Sequence, residues 1–212
     1  TAVGAELSQA PMWIVDQPAI TPLRLRIEIR DAKRKAERRT KLEAEQDRSL
    51  PADERRRSCD LKLVLVDYLQ LMSPVGLVEK NANREREVSS ISRKLKEIAA
   101  SEKVVIMVAA QLNKDGDKRG KDDSQPRTSD LRESDAIAQD ADKIILLHNP
   151  QATERAKELR DGRTRETPKP EVARVIVAKA RQGGTTGTVR SVFLPECGRF
   201  EAYDGREDRE AY

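Results

Sequence analysis

Three nearly uninterrupted apolar runs organise this chain: "LKLVLVDYLQLM" (61–72), "VVIMVAAQ" (104–111) and "KIILLH" (143–148). Each is rich in aliphatic, largely β-branched or leucine residues and lacks sustained alternation. That is the pattern of strands buried on both faces of a parallel sheet. Between the first two lies "REREVSSISRKLKEIAASE" (84–102), where Val88, Ile91, Leu95 and Ile98 recur at helical spacing as one apolar stripe. Upstream, "MWIVD" (12–16) reads as a short buried strand. The next piece, "LRLRIEIR" (23–30), is ambiguous, because strict alternation argues for a strand. Thr21 as N-cap, Pro22 at the first helical position and the helix formers of "DAKRKAERRTKLEAEQ" argue for a helix over 22–47. On that helix Leu25, Ile29, Ala32 and Ala36 share one face, and Leu23 and Ile27 lie on another. The second face reads as an ordinary buried first turn, with a subunit contact as the alternative.

The remaining segments connect these elements. Residues 50–59 form a polar connection, and "SPVGLVEKNAN" a loop. A long charged, glycine-containing loop follows Gln111, then a short helix within "LRESDAIAQDAD". Residues 149–171 read as a charged mobile insertion with a helical turn. "VARVIVAKA", "TVRSVFLPE" and "RFEAYD" are three strands expected to be antiparallel, and residues 204–212 a fraying tail. The glycines of "RQGGTTG" (Gly183, Gly184 and Gly187) are turn residues, since no strand-to-helix phosphate loop follows them. Strand, helix, strand, helix, strand predicts one α/β domain with a mostly parallel sheet flanked by helices. In such sheets ligands sit beyond the carboxyl ends of the strands. Asp67, Gln111 and His148-Asn149 all fall there. Because an unpaired buried carboxylate is costly, Asp67 is expected to leave the core at the ligand edge. Spacing alone leaves it two roles, a metal ligand or a strand-end hydrogen bond, and Gln111 could equally be an ordinary strand-end amide.

Composition narrows the classes. The chain has 212 residues, 37% charged and 3% aromatic, with 41 basic and 37 acidic residues giving a net charge of +4. The signs are intermixed, so nucleic-acid binding would need a local basic surface rather than this total. Two distant cysteines, Cys59 and Cys197, argue against a disulfide scaffold or a zinc site and fit a reducing cytosol. The single histidine, His148, ends an apolar run and reads as a strand-end residue, which speaks against histidine-based catalysis. No apolar run approaches membrane-spanning length, so no membrane partner is expected.

"LVLVDYLQLM", "SSISRKLKEIAASEKVVIMVAAQLNK", "TSDLRESDAIAQDADKIILLH" and "AKARQGGTTGTVRSVFLPECGRFEAY", in this order and spacing, resemble the C-terminal motor domain of DnaB-type replicative helicases. "WIVDQPAITPLRLR" also looks like the segment preceding that family's magnesium strand. A RecA-type recombinase or circadian-clock ATPase shares the topology but not this set of motifs. The resemblance implies a RecA-like α/β fold, a cytoplasmic hexameric ring of identical subunits, and ATP-driven movement along single-stranded DNA. Primase and a helicase loader are further partners it implies. Asp67 falls at the Walker B position and would hold the Mg2+ of bound ATP, as a hard cation prefers oxygen ligands. Gln111 matches the residue that senses the γ-phosphate. Lys179 and Arg181 match the basic pair that reaches ATP held by the neighbouring subunit. On a strand, two residues apart, they point the same way. "SDLRES" (129–134) matches the DNA-holding channel loop, with Arg132 as the charged contact and Glu133 and Ser134 contributing through the backbone. Lys114, Lys118, Arg119, Lys121 and Arg127 could add phosphate contacts or simply be solvated. Asp135 departs from the family, standing where glycine is common, which adds a negative charge and removes backbone freedom.

No "GxxxxGK[ST]" occurs in the 212 residues. The phosphate-cradling lysine and the upstream catalytic glutamate of the family have no counterpart here. The expectation is a partial RecA-like ATPase domain, inactive by itself, from a longer reading frame. A split or degenerate homologue that binds DNA or sister subunits without hydrolysing ATP is the alternative.

Overall fold

A computed structural model describes residues 10–46, 61–79, 82–112, 125–131, 135–152, 155, 160–162 and 170–205. It divides into two compact units, Thr1–Gln111 and Leu112–Tyr212.

The first unit holds α1 (Pro22–Gln46), β1 (Leu63–Val66), α2 (Arg84–Glu102) and β2 (Val105–Val108). The alternation of residues 23–30 does not make a strand. Helix α1 starts at Pro22, and the Thr21 hydroxyl accepts from the Arg24 N–H at 3.1 Å, as an N-cap should. Leu25, Ile29 and Ala36 are buried, but Leu23 and Ile27 are 66% and 45% exposed. The second apolar face is therefore not a buried first turn. Residues 12–16 correct a second expectation. They form no strand, and Met12, Ile14 and Val15 are exposed; without a pairing partner, an apolar run flanked by Pro11 and Pro18 gains nothing by pleating.

Helix α2 follows its periodicity. Val88, Ile91, Leu95 and Ile98 are all buried, each contributing about 1.5–3 kcal/mol of burial. Asn83 caps its start, accepting from the Arg86 N–H at 3.0 Å. At its other end Glu102 is buried, and its Oε1 accepts from Nε of Arg26 at 2.7 Å and of Arg30 at 2.9 Å. Lys33 Nζ donates to the Glu102 carbonyl. A basic stripe on α1 thus neutralises a carboxylate at the negative end of the α2 dipole. Arg26 above all, then Arg30, holds the Glu102 pKa below the usual carboxylate range, against the opposing effect of burial.

Strands β1 and β2 pair in parallel, Leu63 with Val105 through Val66 with Val108. They were expected to be buried on both faces, and they are not. Leu63, Leu65, Val105 and Met107 are all exposed, whereas Val66 is buried. Alternation puts these four exposed residues on one face, so one side of the sheet is uncovered among the described residues.

The second unit holds α3 (Asp135–Asp140), β3 (Lys143–His148), β4 (Glu171–Ala180), β5 (Gly187–Leu194) and β6 (Arg199–Ala202). All four strands form one antiparallel sheet in sequence order. The α/β layout, parallel strands first and antiparallel strands at the carboxyl end, is as expected. One reassignment is needed: β3 belongs with the antiparallel part. It is half-buried rather than enclosed, with Ile144 and Leu146 inside and Ile145 and Leu147 outside. Ile144, Leu146 and Ile176 form the core, with Leu112, Leu131, Ala138, Ala141 and Ala178 packed against it.

A bulge skips Ala178, pairing Ile144 with Lys179 and Ile145 with Val177. The β4–β5 turn uses positive φ at Gln182 (60°) and Gly183 (80°). A Cβ at Gly184 would lie 2.7 Å from that of Ala180, so this position admits only glycine without a shift. Glu171, buried at the start of β4, accepts from Asn149 Nδ2 at 2.6 Å and pairs with Arg155. These contacts join Asn149 and Arg155 to the first residue of β4. His148 ends β3; burial, reinforced by Arg174, lowers its pKa.

Candidate functional site

The candidate residues fall into two groups, one in each unit. In the first unit, Asp67 follows the last residue of β1 and is exposed. An apolar strand that ends in a carboxylate delivers it where it keeps its hydration, so no buried charge needs compensation. Gln111 lies three residues beyond β2 and is likewise exposed. Since β1 and β2 are parallel neighbours, both groups sit at the same end of one sheet. The Ala109 N–H donates to the Val66 carbonyl at 3.0 Å, and the Leu69 N–H to the Ala109 carbonyl at 2.9 Å, extending the pairing past the strands.

Gln70 was legible as part of "DYLQLM" but carried no assigned role. Its Oε1 accepts from the Gln111 N–H at 3.2 Å, and its Nε2 donates to the Gln111 carbonyl at 3.4 Å. The side-chain amide copies a strand partner for one residue and holds the Gln111 backbone. In turn, Arg84 Nη2 donates to the Gln70 carbonyl at 2.6 Å. Such a contact, linking positions 41 residues apart, leaves no trace in local sequence pattern.

In the second unit, Lys179 lies at the end of β4 and Arg181 directly follows the strand, and both side chains converge on the carboxyl end of α3. Lys179 Nζ donates to the Ala138 carbonyl and, at 3.2 Å, to that of Gln139. Arg181 Nη2 donates to the Gln139 carbonyl. Arg132, Glu133 and Ser134 lie outside the described residues, as do Lys114, Lys118, Arg119 and Lys121. The segment just ahead is described. Residues Thr128–Asp130 make a 3-10 turn that Asp130 closes, its Oδ2 accepting from the Arg127 N–H at 2.8 Å, and Leu131 bridges to Leu112. Arg127 is exposed. Asp135 opens α3, a helical position that requires no glycine-only conformation. Among the described residues, no three His, Cys, Asp or Glu side chains cluster to hold a metal unaided.

An α/β unit of two parallel strands around a crossover helix, with polar side chains at the strand tips, followed in the chain by an antiparallel sheet, is a RecA-like architecture. It matches a solved ATPase domain with a TM-score of 0.70 at 30% identity, covering 96% of this chain and 58% of that one. It matches equally, at 0.70 and 30%, a DnaB-like replicative helicase solved to show its interactions with primase, covering 40% of that chain. The sequence profile of the DnaB-like helicase C-terminal domain matches residues 42–202. The chain belongs to the DnaB-like helicase C-terminal domain family.

Among similar proteins, the replicative DNA helicase DnaB of Mycobacterium intracellulare is 37% identical over 181 residues, 85% of this chain and 25% of that protein. DnaB of Leifsonia xyli is 34% identical over 199 residues, covering 94% and 35%. The replicative DNA helicase DnaC of Bacillus subtilis is 36% identical over 148 residues, covering 70% and 29%. The chain thus spans about a quarter to a third of these relatives' length.

Proposed function

We propose that this chain is the carboxyl-terminal part of a replicative helicase motor, which couples ATP hydrolysis to translocation on single-stranded DNA as a cytoplasmic hexameric ring. The observation that carries this reading is the placement of Asp67 and Gln111 at the same end of adjacent parallel strands, where α/β sheets take their ligands. Asp67 is the Mg2+ ligand. A lone exposed carboxylate suits this ion, which keeps most of its shell as water and substrate phosphate. Held by Asp67, Mg2+ would supply positive charge to the phosphates of ATP. Gln111 orients toward the γ-phosphate, using an amide that donates without altering charge. Lys179 and Arg181 supply cations to the nucleotide of the adjoining subunit. Arg132, with Glu133 and Ser134 through their backbone, contacts DNA phosphates. Primase and a helicase loader are partners of the whole assembly.

Fluorescence anisotropy of the purified chain with labelled oligothymidylate, over a salt series, tests the DNA assignment. Binding should weaken with salt, and Arg132→Ala should reduce the log–log slope by about 1. An unchanged slope removes Arg132 from the interface. DNA binding that persists without Mg-ATP hydrolysis when the rest of the motor is supplied would select the non-catalytic alternative.

A further inference from the structure

The basic pair is already engaged. Antiparallel pairing sets Lys143 opposite Ala180 and Ile144 opposite Lys179, so Asp142 and Arg181 flank the same end of the β3–β4 ladder. The Arg181 N–H donates to the Asp142 carbonyl at 2.9 Å, and its guanidinium Nη1 lies 3.9 Å from Asp142 Oδ1. Just upstream, α3 ends, and the carbonyls of Ala138 and Gln139 accept from Lys179 and Arg181. The last carbonyls of a helix have no intrahelical partner and carry the negative end of its dipole. Two cations on them form a cap, one that a six-residue helix has few other means to obtain.

The donors that grip α3 are the donors a phosphate would need. Lys179 directs its ammonium at two carbonyls, and an ammonium has three protons. Arg181 gives Nη2 to the Gln139 carbonyl, while Nη1 stands 3.9 Å from Asp142 Oδ1 as a loose ion pair. A phosphate oxygen, being anionic, offers a stronger acceptor than a neutral carbonyl. Capturing it with the protons now given to α3 turns both heads away from the helix.

We infer that the carboxyl end of α3 is the resting acceptor of Lys179 and Arg181, with Asp142 as the positioning residue for Arg181, and that phosphate capture by the pair and its grip on α3 exclude each other. Phosphate binding then uncaps α3, the helix that begins directly after Ser134. The inference rests on Lys179 and Arg181 being phosphate ligands, as proposed above.

The test titrates the full chain with pyrophosphate at fixed ionic strength, reading affinity by calorimetry and amide exchange at Ala141, whose N–H donates to the Ile137 carbonyl at 3.0 Å within the last turn of α3. Pyrophosphate should speed Ala141 exchange several-fold. Asp142→Asn should tighten pyrophosphate binding by about two- to fivefold, the scale of an exposed ion pair. A merely structural Asp142 would leave affinity unchanged or weaken it. The double variant Lys179→Gln, Arg181→Gln should show fast Ala141 exchange from the start and no response to the ligand. If pyrophosphate binds through the pair while Ala141 exchange stays constant, or Asp142→Asn does not tighten binding, the exclusion is overturned and the phosphate role stands. If pyrophosphate does not bind, or binding survives the double variant, both fall together.

Discussion

At the scale of single residues, polar side chains stand at the strand tips, and a residue distant in the chain holds the backbone of one of them. Asp67 could be expected at a sheet edge because a carboxylate closing an apolar run has nowhere cheaper to go. Gln70 shows the limit of that reasoning, since its partner is the backbone of Gln111, 41 residues on. Removing it should be felt locally. Gln70→Ala loses two neutral hydrogen bonds at an exposed site, which should cost roughly 1 kcal/mol in a thermal melt. Hydrogen exchange should quicken at the Gln111 amide and leave α2 unaffected. Unaltered protection of Gln111 would show that Gln70 does not hold it.

At the scale of elements, the apolar stripe of α2 was fully legible, because periodicity and burial are the same fact seen along a helix. What joins α2 to α1 was not. Arg26, Arg30 and Lys33 look like ordinary solvated helix charges, and Glu102 like a frayed end. Only packing reveals one buried carboxylate shared by two guanidinium groups. The depressed pKa of Glu102 has a definite sign. Below both its folded and unfolded pKa values the residue is protonated in either state and the pair contributes nothing. As pH rises through these values the contribution appears, and it is complete above the unfolded one. Glu102→Gln should therefore destabilise the chain by about 1–2 kcal/mol at neutral pH. The difference from the parent should shrink as pH falls through the acidic range. A pH-independent difference would assign the loss to packing instead. "MWIVD" failed as a strand for a complementary reason: strand formation depends on a neighbour to accept hydrogen bonds, and composition cannot supply one.

At the scale of the whole molecule, the open face of the β1–β2 sheet is the largest departure from expectation. Leu63, Leu65, Val105 and Met107 read as core residues and stand exposed. Burial is therefore not what their present packing stabilises. Leu65→Thr combined with Met107→Thr should shift the thermal midpoint little, within about 0.5 kcal/mol, while reducing binding of an apolar dye. A large loss of stability would mean that this face is covered in solution.

The α/β class, the α2 stripe, the start of α1 and the family motifs followed from the sequence by itself, because periodicity, capping chemistry and motif order are local properties that each segment carries with it. The tertiary structure alone decided that Gln70 holds Gln111, that Glu102 pins α1 to α2, that β3 pairs antiparallel to β4, and that Lys179 and Arg181 rest on α3. Each of these joins groups far apart in the chain. Their free energy depends on which partners packing brings within hydrogen-bonding distance, and no segment encodes that by its own pattern.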